Sequence, residues 1–483
     1  MTRSSHKLAG SYLLLVVAEV VAKGVTFAAF GYMGHVLGPH GQGYVEFAVA
    51  VTLCASLVID LGFNPYGARQ IARDPHRTSD LVGEIVLARI GLSLLAAAVV
   101  GALALLPGTA PQKASLLGVY ALSLLPTPLL LQWVFQGHDR MIWVAVATIV
   151  RQAVFAAVIF ATVRGIGQIL WVGIAELVAV SAAAVFCLVI YRRRFSGRIP
   201  LGRGLSPTLF REGVPIGLGQ MFWATRMFAG TILLGYIATA DEVGRFGAAQ
   251  RILIAAHTFV WWYFFNMLPA LTRHWHVDRD GFQSLMRHSL ALVLWCGLLF
   301  GAVGMLVSRP IMTLTYGAAF APGAPVLRYF AAVCLVLAIS GHYRFGLIAA
   351  GYQKQEMMTA AMGAVLAVGL IYAGYVRWGI TGAAMGLLAA EVTVWAATWW
   401  WARTLLGAVG HGVYYLRPVA AILVSLALMW LISPRSVWVQ AAIVSVVMGC
   451  AVLSDGALRW RRRGLRVSET TGGVATGAAD NGP

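Results

Sequence analysis

Charge is what this chain has least of, and acid least of all. Of its 483 residues only 11% are charged, and 18 Asp and Glu face 36 Lys and Arg. A soluble domain carries about 25% charged residues. With 59% hydrophobic residues and a mean hydropathy of +0.78, the chain falls outside that class and reads as a polytopic membrane protein. Cysteine is nearly as scarce. Cys54, Cys187, Cys296, Cys334 and Cys450 stand singly in apolar segments without C-x-x-C spacing, which excludes a paired redox or zinc motif and leaves small packing residues. No G-x-x-x-x-G-K-[ST] stretch is present, so the chain itself does not use ATP, and no cofactor is expected. His274 and His276 form an H-x-H without further ligands, which is too little for zinc, and no metal is expected. Long outward connections are also missing, which leaves no room for an extramembrane catalytic domain; the chain is not expected to be an enzyme.

What the chain does have is hydrophobic length. About fourteen spans of roughly 20 residues, the length a hydrocarbon core of about 30 Å requires, fall at 11–36, 44–63, 83–106, 114–135, 142–163, 168–190, 213–237, 247–271, 288–309, 325–349, 358–376, 380–402, 416–432 and 437–455. The short basic N-terminus is followed by an apolar run that is long, charged and without an A-x-A site, so the first span is expected to be retained. With that terminus cytoplasmic, the even-numbered connections collect Arg69, Arg73 and Arg77, then Arg140, the run Arg192–Arg194 with Arg198, Arg203 and Arg211, and later Arg273, Arg279 and Arg287. The odd-numbered ones hold about one cation each or none. This asymmetry predicts that both termini are cytoplasmic. The basic balance is then a topology signal, reinforced by anionic lipid, and nucleic-acid binding is not expected.

The two halves echo each other. Lys23 precedes Gly31-Tyr32 as Arg226 precedes Gly235-Tyr236; GYVEFA at 43–48 matches GRFGAA at 244–249; Gly165-Ile166 leads to Ala175-Glu176 as Gly379-Ile380 leads to Ala390-Glu391. Six spans per repeat is an even number, so the halves insert with the same orientation. The expected organisation is a six-helix lobe at 1–190, a basic cytoplasmic linker at 191–212, a second six-helix lobe at 213–405, two further helices with a basic end at 406–466, and a polar, disordered tail at 467–483.

Residues 133–140, WVFQGHDR, followed by a span with Arg151, resemble a stretch of bacterial polysaccharide exporters of the O-antigen flippase type. LGPHGQG at 37–43, DEVGRFGAAQRI at 241–252, AAGYQKQ at 349–355 and WGITGAAMG at 378–386 carry the same resemblance, which spans about residues 8–405. That superfamily also includes multidrug and toxin extrusion transporters and the lipid II flippase. The resemblance implies an all-α bacterial inner-membrane protein with two six-helix lobes around a central cavity and alternating access. Its implied substrate is an undecaprenyl-diphosphate-linked oligosaccharide moved from the cytoplasmic to the outer leaflet, with membrane lipids and a polysaccharide polymerase as partners.

Such a cavity needs cations for the diphosphate, because ammonium and guanidinium groups make charge-assisted hydrogen bonds to phosphate oxygens. Candidates are Lys23, Arg151, Arg226, Arg251, Arg328 and Arg344. Lys23 could instead neutralise Glu19 at i−4, Arg151 could pair with a buried acid, and Arg251, Arg328 and Arg344 could snorkel from span ends. Arg226, mid-span with no acid within four residues, is expected to be unpaired and to face the cavity. Glu19, Glu46, Glu176 and Glu391 are candidate counter-ions or ion-coupling groups, and Asp60, beside Asn64-Pro65, a local cap. Span 2 carries Glu46 and Asp60 where the lipid II flippase concentrates arginine in its first two spans, which argues against lipid II as the substrate. A multidrug antiporter on the same fold predicts an acidic, aromatic cavity instead. A membrane polymerase or glycosyltransferase predicts a large catalytic outward loop.

Overall fold

Helices and their breaks account for the architecture. The computed structural model describes residues 3–195, 199–202, 204–407 and 413–472, with side chains described over 20–195, 199–202, 204–407 and 416–454. The side chain of Glu19 and the tail beyond Gly472 therefore lie outside what is described. The helices are α1 (Arg3–Asp60), α2 (Phe63–Arg73), α3 (Thr78–Ala104), α4 (Pro111–Ser123), α5 (Gln132–Gly137), α6 (Met141–Thr162), α7 (Leu170–Arg194) and α8 (Pro207–Ile237). They continue as α9 (Ala240–Val277), α10 (Arg279–Leu306), α11 (Ser308–Tyr316), α12 (Ala324–Ala349), α13 (Gln353–Leu406), α14 (Val413–Ile432) and α15 (Val437–Gly472). Among the described residues ten helical stretches are long and apolar enough to cross a membrane, so the chain is an all-α, multi-pass membrane protein.

Two of those stretches run for 54 residues because a break sits inside them. In α1 the break is Gly38 (φ 65°, ψ −179°), followed by Pro39; in α13 it is Trp378-Gly379, with Gly379 at φ 62°. A residue before proline is pushed out of the helical region and glycine reaches positive φ without a Cβ clash, so LGP ends one limb of α1 and starts the next. Span 4, expected as one helix over 114–135, is interrupted instead. Pro126 and Pro128 cannot donate to the helical ladder, and α4 stops at Ser123, gives way to a short 3-10 turn, and resumes as α5. α15 continues to Gly472, into the stretch read as a tail.

Packing groups the chain into two compact units. One comprises Met1–Thr258, Ser308–Phe330 and Lys354–Ala397, the other Phe259–Val307, Ala331–Gln353 and Thr398–Pro483. At the core of the first, the WVFQG stretch has become α5, whose Trp133, Val134 and Phe135 are buried with Phe63, Tyr66 and Ile71 of α2, Cys187 and Tyr191 of α7, and Leu209 of α8. In the second, Trp295 of α10 packs with Ala421 of α14 and with Val444 and Met448 of α15.

Backbone contact, and not only side-chain packing, holds α1 to α9 within the first unit. A Cβ on Gly43 would run into the Ala240 carbonyl, and a Cβ on Gly244 into the Pro39 carbonyl. The two contacts are reciprocal, joining residues 197 and 205 apart on either side of the 201-residue offset between Gly43 and Gly244, which is the signature of an isologous crossing between two copies of one pattern. Small residues are what let helices approach this closely in lipid, where apolar surface alone supplies no drive to associate.

Candidate functional site

One turn past the crossing, Glu46 of α1 meets Arg251 of α9. Arg251 Nε and Nη2 donate to the two carboxylate oxygens at 3.0 and 2.6 Å, and its guanidinium lies 3.3 Å from the centroid of the Phe30 ring. Gly247 makes this possible, since a Cβ there would stand 2.6 Å from Glu46 Cγ. Gln42 Nε2 donates to Glu46 Oε1 at 2.7 Å, and the pair is largely buried. Two buried tyrosine hydroxyls, Tyr120 of α4 and Tyr316 of α11, have no hydrogen-bond partner among the described residues, and both feel the Glu46 and Arg251 charges. Tyr120 also feels Arg151 and Glu176.

Arg151 stands at the middle of α6 and donates through Nη2 to Glu176 Oε1 of α7 at 2.5 Å. This pair is the open one: the arginine side chain is 39% exposed and the glutamate 19%. Its neighbour Gln152 accepts from Thr26 of α1 at 2.6 Å, and one turn earlier Lys23, exposed, donates to Thr258 of α9 at 3.4 Å. α1, α6, α7 and α9 thus present a group of cationic and hydroxyl side chains at spanning depth, where a charge costs roughly 3 kcal/mol unless it faces water or a partner.

Arg226 corrects the expectation of an unpaired cation facing a cavity. It is 1% exposed and grips Glu391 of α13 through Nε and Nη2, and Glu391 is wholly buried. The acid is 165 residues away, so no inspection of neighbouring positions in the sequence could find it. Around it Gln250 bridges the Thr231 hydroxyl and the Met227 carbonyl. Glu176 and Glu391, matched by the repeat, both accept from arginine. Asp60 accepts from the Asn64 backbone N–H at 3.2 Å, as expected of a cap, and also pairs with Arg89 of α3, itself bonded to Asn64 at 2.9 Å. Arg89 belongs to a predicted span and the rule used for the other cations would have found it; it was missed. Arg328 is exposed at the start of α12 and donates to Ser308 at 3.2 Å, while Arg344 lies half-buried on α12 in the second unit. Within the first unit the candidate cations do not form one cluster: Lys23, Arg151 and Arg251 share a neighbourhood, and Arg226 and Arg328 are engaged elsewhere, by Glu391 and Ser308. No group of three or more His, Cys, Asp or Glu able to hold a metal occurs among the described residues.

Comparison with known proteins places this arrangement. A family model described as polysaccharide biosynthesis protein matches residues 8–275. The "Putative O-antigen transporter" of Escherichia coli (strain K12) is 20% identical over 341 residues, covering 70% of this chain and 82% of that protein. Among solved structures, the lipid II flippase MurJ in an inward closed conformation superposes with a TM-score of 0.75 at 12% identity, over 93% of this chain and 99% of that one. A multidrug resistance MATE family transporter in an inward-facing conformation gives 0.68 at 13% identity, over 83% and 98%.

Proposed function

The chain belongs to the polysaccharide biosynthesis protein family, and as a membrane transporter of that kind we propose that it carries a polyprenyl-diphosphate-linked oligosaccharide from the inner to the outer leaflet of a bacterial plasma membrane. The observation that carries this reading is the accessible cation at mid-helix, Arg151, whose neighbour Gln152 is bonded to Thr26, one turn beyond Lys23 on α1. A guanidinium left accessible in the middle of a spanning helix is a costly feature unless it serves a partner, and an anion that must cross is a fitting one. The diphosphate and the sugars need a wet, polar path, while the polyprenyl chain stays in lipid. Export of the anion is also favoured by an inside-negative potential, by about 2.3 kcal/mol per elementary charge per 100 mV.

The finer topology belongs to the same proposal. Counting each broken helix, α1 and α13, as two crossings and adding α8 and α14 to the ten apolar stretches gives fourteen crossings. The arginine-rich connections are cytoplasmic, as are both termini, and the two repeats form lobes that alternate access between the leaflets. Accessible cations favour this substrate over a cationic drug, which would need exposed acid; the accessible acid, Glu176, is already engaged by Arg151.

The test is to remove the chain from its cell and locate the lipid-linked glycan. Accumulation on the cytoplasmic leaflet is expected. Accumulation on the outer leaflet, or none, would overturn the proposal.

A further inference from the structure

The repeat sets up a comparison between two glutamates. Glu176 and Glu391 follow Gly165-Ile166 and Gly379-Ile380 at corresponding distances, and each accepts from an arginine. Their situations differ in three ways. The Glu391 pair is closed to water, with side chains 0% and 1% exposed, while the Glu176 pair is 19% and 39% exposed. Arg226 holds Glu391 with two nitrogens on two oxygens, whereas the one hydrogen bond from Arg151 to Glu176 runs from Nη2 to Oε1. The surroundings of the arginine also differ, since Arg151 is followed by Gln152, whose bond from Thr26 fixes α6 against α1.

We propose that Glu176 is a displaceable occupant of the Arg151 guanidinium, a built-in anion that exchanges for a phosphoryl oxygen of the substrate and rebinds when the substrate leaves. This rests on the transport reading above and adds a role for the carboxylate. An exposed, single-contact ion pair is weakly held, because water competes for both partners. A diphosphate offers more charge and several oxygens in the spacing a guanidinium fork accepts, so it replaces a carboxylate bound through one oxygen. The empty site is then never an uncompensated cation in the bilayer, and the returning carboxylate helps expel the anion after translocation. Glu391, buried and held bidentate, has no such freedom and acts as a fixed bolt.

The experiment is equilibrium binding of a short-chain polyprenyl diphosphate, with the monophosphate as comparison, to the purified full chain and to Glu176→Gln, Glu176→Asp and Arg151→Ala, with initial flipping rates in proteoliposomes. Glu176→Gln is expected to bind the diphosphate roughly fivefold tighter, the factor that removing an exposed competing ion pair is worth, and to flip it more slowly. Glu176→Asp, a shorter carboxylate, should fall between Gln and the native residue and serves if the amide variant does not fold. Arg151→Ala should lose binding. If Glu176→Gln or Glu176→Asp weakens binding, Glu176 positions Arg151 and the exchange is wrong although the transport reading stands. If Arg151→Ala binds the diphosphate as well as the native chain does, the anion site itself is misassigned and both readings fall.

Discussion

Arg226 and Glu391 are the most committed charges in the chain. Removing one partner of a buried, bidentate pair leaves the other charge without compensation, a loss of roughly 3–5 kcal/mol, while replacing both by apolar groups of similar size is often neutral or stabilising. Arg226→Ala is therefore expected to lower yield and thermal stability sharply, and Arg226→Met with Glu391→Leu to restore most of both, read by thermal unfolding in detergent. A normal melting temperature for Arg226→Ala would show that the pair carries no such load. At His138, outside the spanning segments, the Thr78 hydroxyl donates to the Pro75 carbonyl at 2.6 Å, so its oxygen accepts from His138 Nε2–H at 3.0 Å. Burial, and then the Arg140 charge, lower the His138 pKa from its ordinary 6.5. The folded turn thus binds fewer protons than the unfolded one just below that value, and its stability falls as the pH drops. Protection factors in the turn around His138, that is, exchange relative to the intrinsic rate at each pH, should fall as the pH drops from about 7 to about 5, and His138→Gln should flatten that dependence.

At the scale of the elements, the sequence stretches that carried the family resemblance turn out to be joints. LGPHGQG contains the break in α1 and its backbone crossing, DEVGRFGAAQRI contains the other side of that crossing and Arg251, WGITGAAMG contains the break in α13, and WVFQG is the short buried helix α5. Their presence was legible, because glycine and proline in fixed order stand out against apolar helices. Their job was not, because which backbone a glycine touches depends on a partner helix some 200 residues away. The same distance hid the partners of Arg226 and Arg251, whereas the interruption of span 4 at Pro126 and Pro128 could have been read from proline chemistry alone. The crossing can be tested. Gly244→Val would drive a side chain into the Pro39 carbonyl and separate α1 from α9. In a background without the native cysteines, His40→Cys and Asp241→Cys, at positions whose side chains now meet at 3.1 Å, should cross-link readily, and Gly244→Val should suppress the cross-link. Undiminished cross-linking would mean that the helices do not need the glycine.

For the whole molecule, class and family could be read before any contact was known, since hydropathy, span length and the placement of arginine are properties of the chain's composition and order. The family match over residues 8–275 agrees with the resemblance seen in the motifs. Which intramembrane charges are accessible was not legible, because exposure is set by packing: among mid-helix arginines of similar appearance, Arg226 is sealed and Arg151 is open. The proposed orientation rests on the arginine asymmetry. Single cysteines replacing Arg140 and Lys113 should be labelled by a membrane-impermeant thiol reagent from opposite faces, the first from the cytoplasmic side; labelling of both from one face would break the topology.

The account stands most directly on Arg151. The measurement is the leaflet distribution of lipid-linked glycan in cells whose only copy of the chain carries Arg151→Ala at native abundance, beside Arg151→Lys. The account predicts that glycan is retained on the cytoplasmic leaflet with alanine and that export is partly recovered with lysine. Export at the native rate with alanine would contradict it.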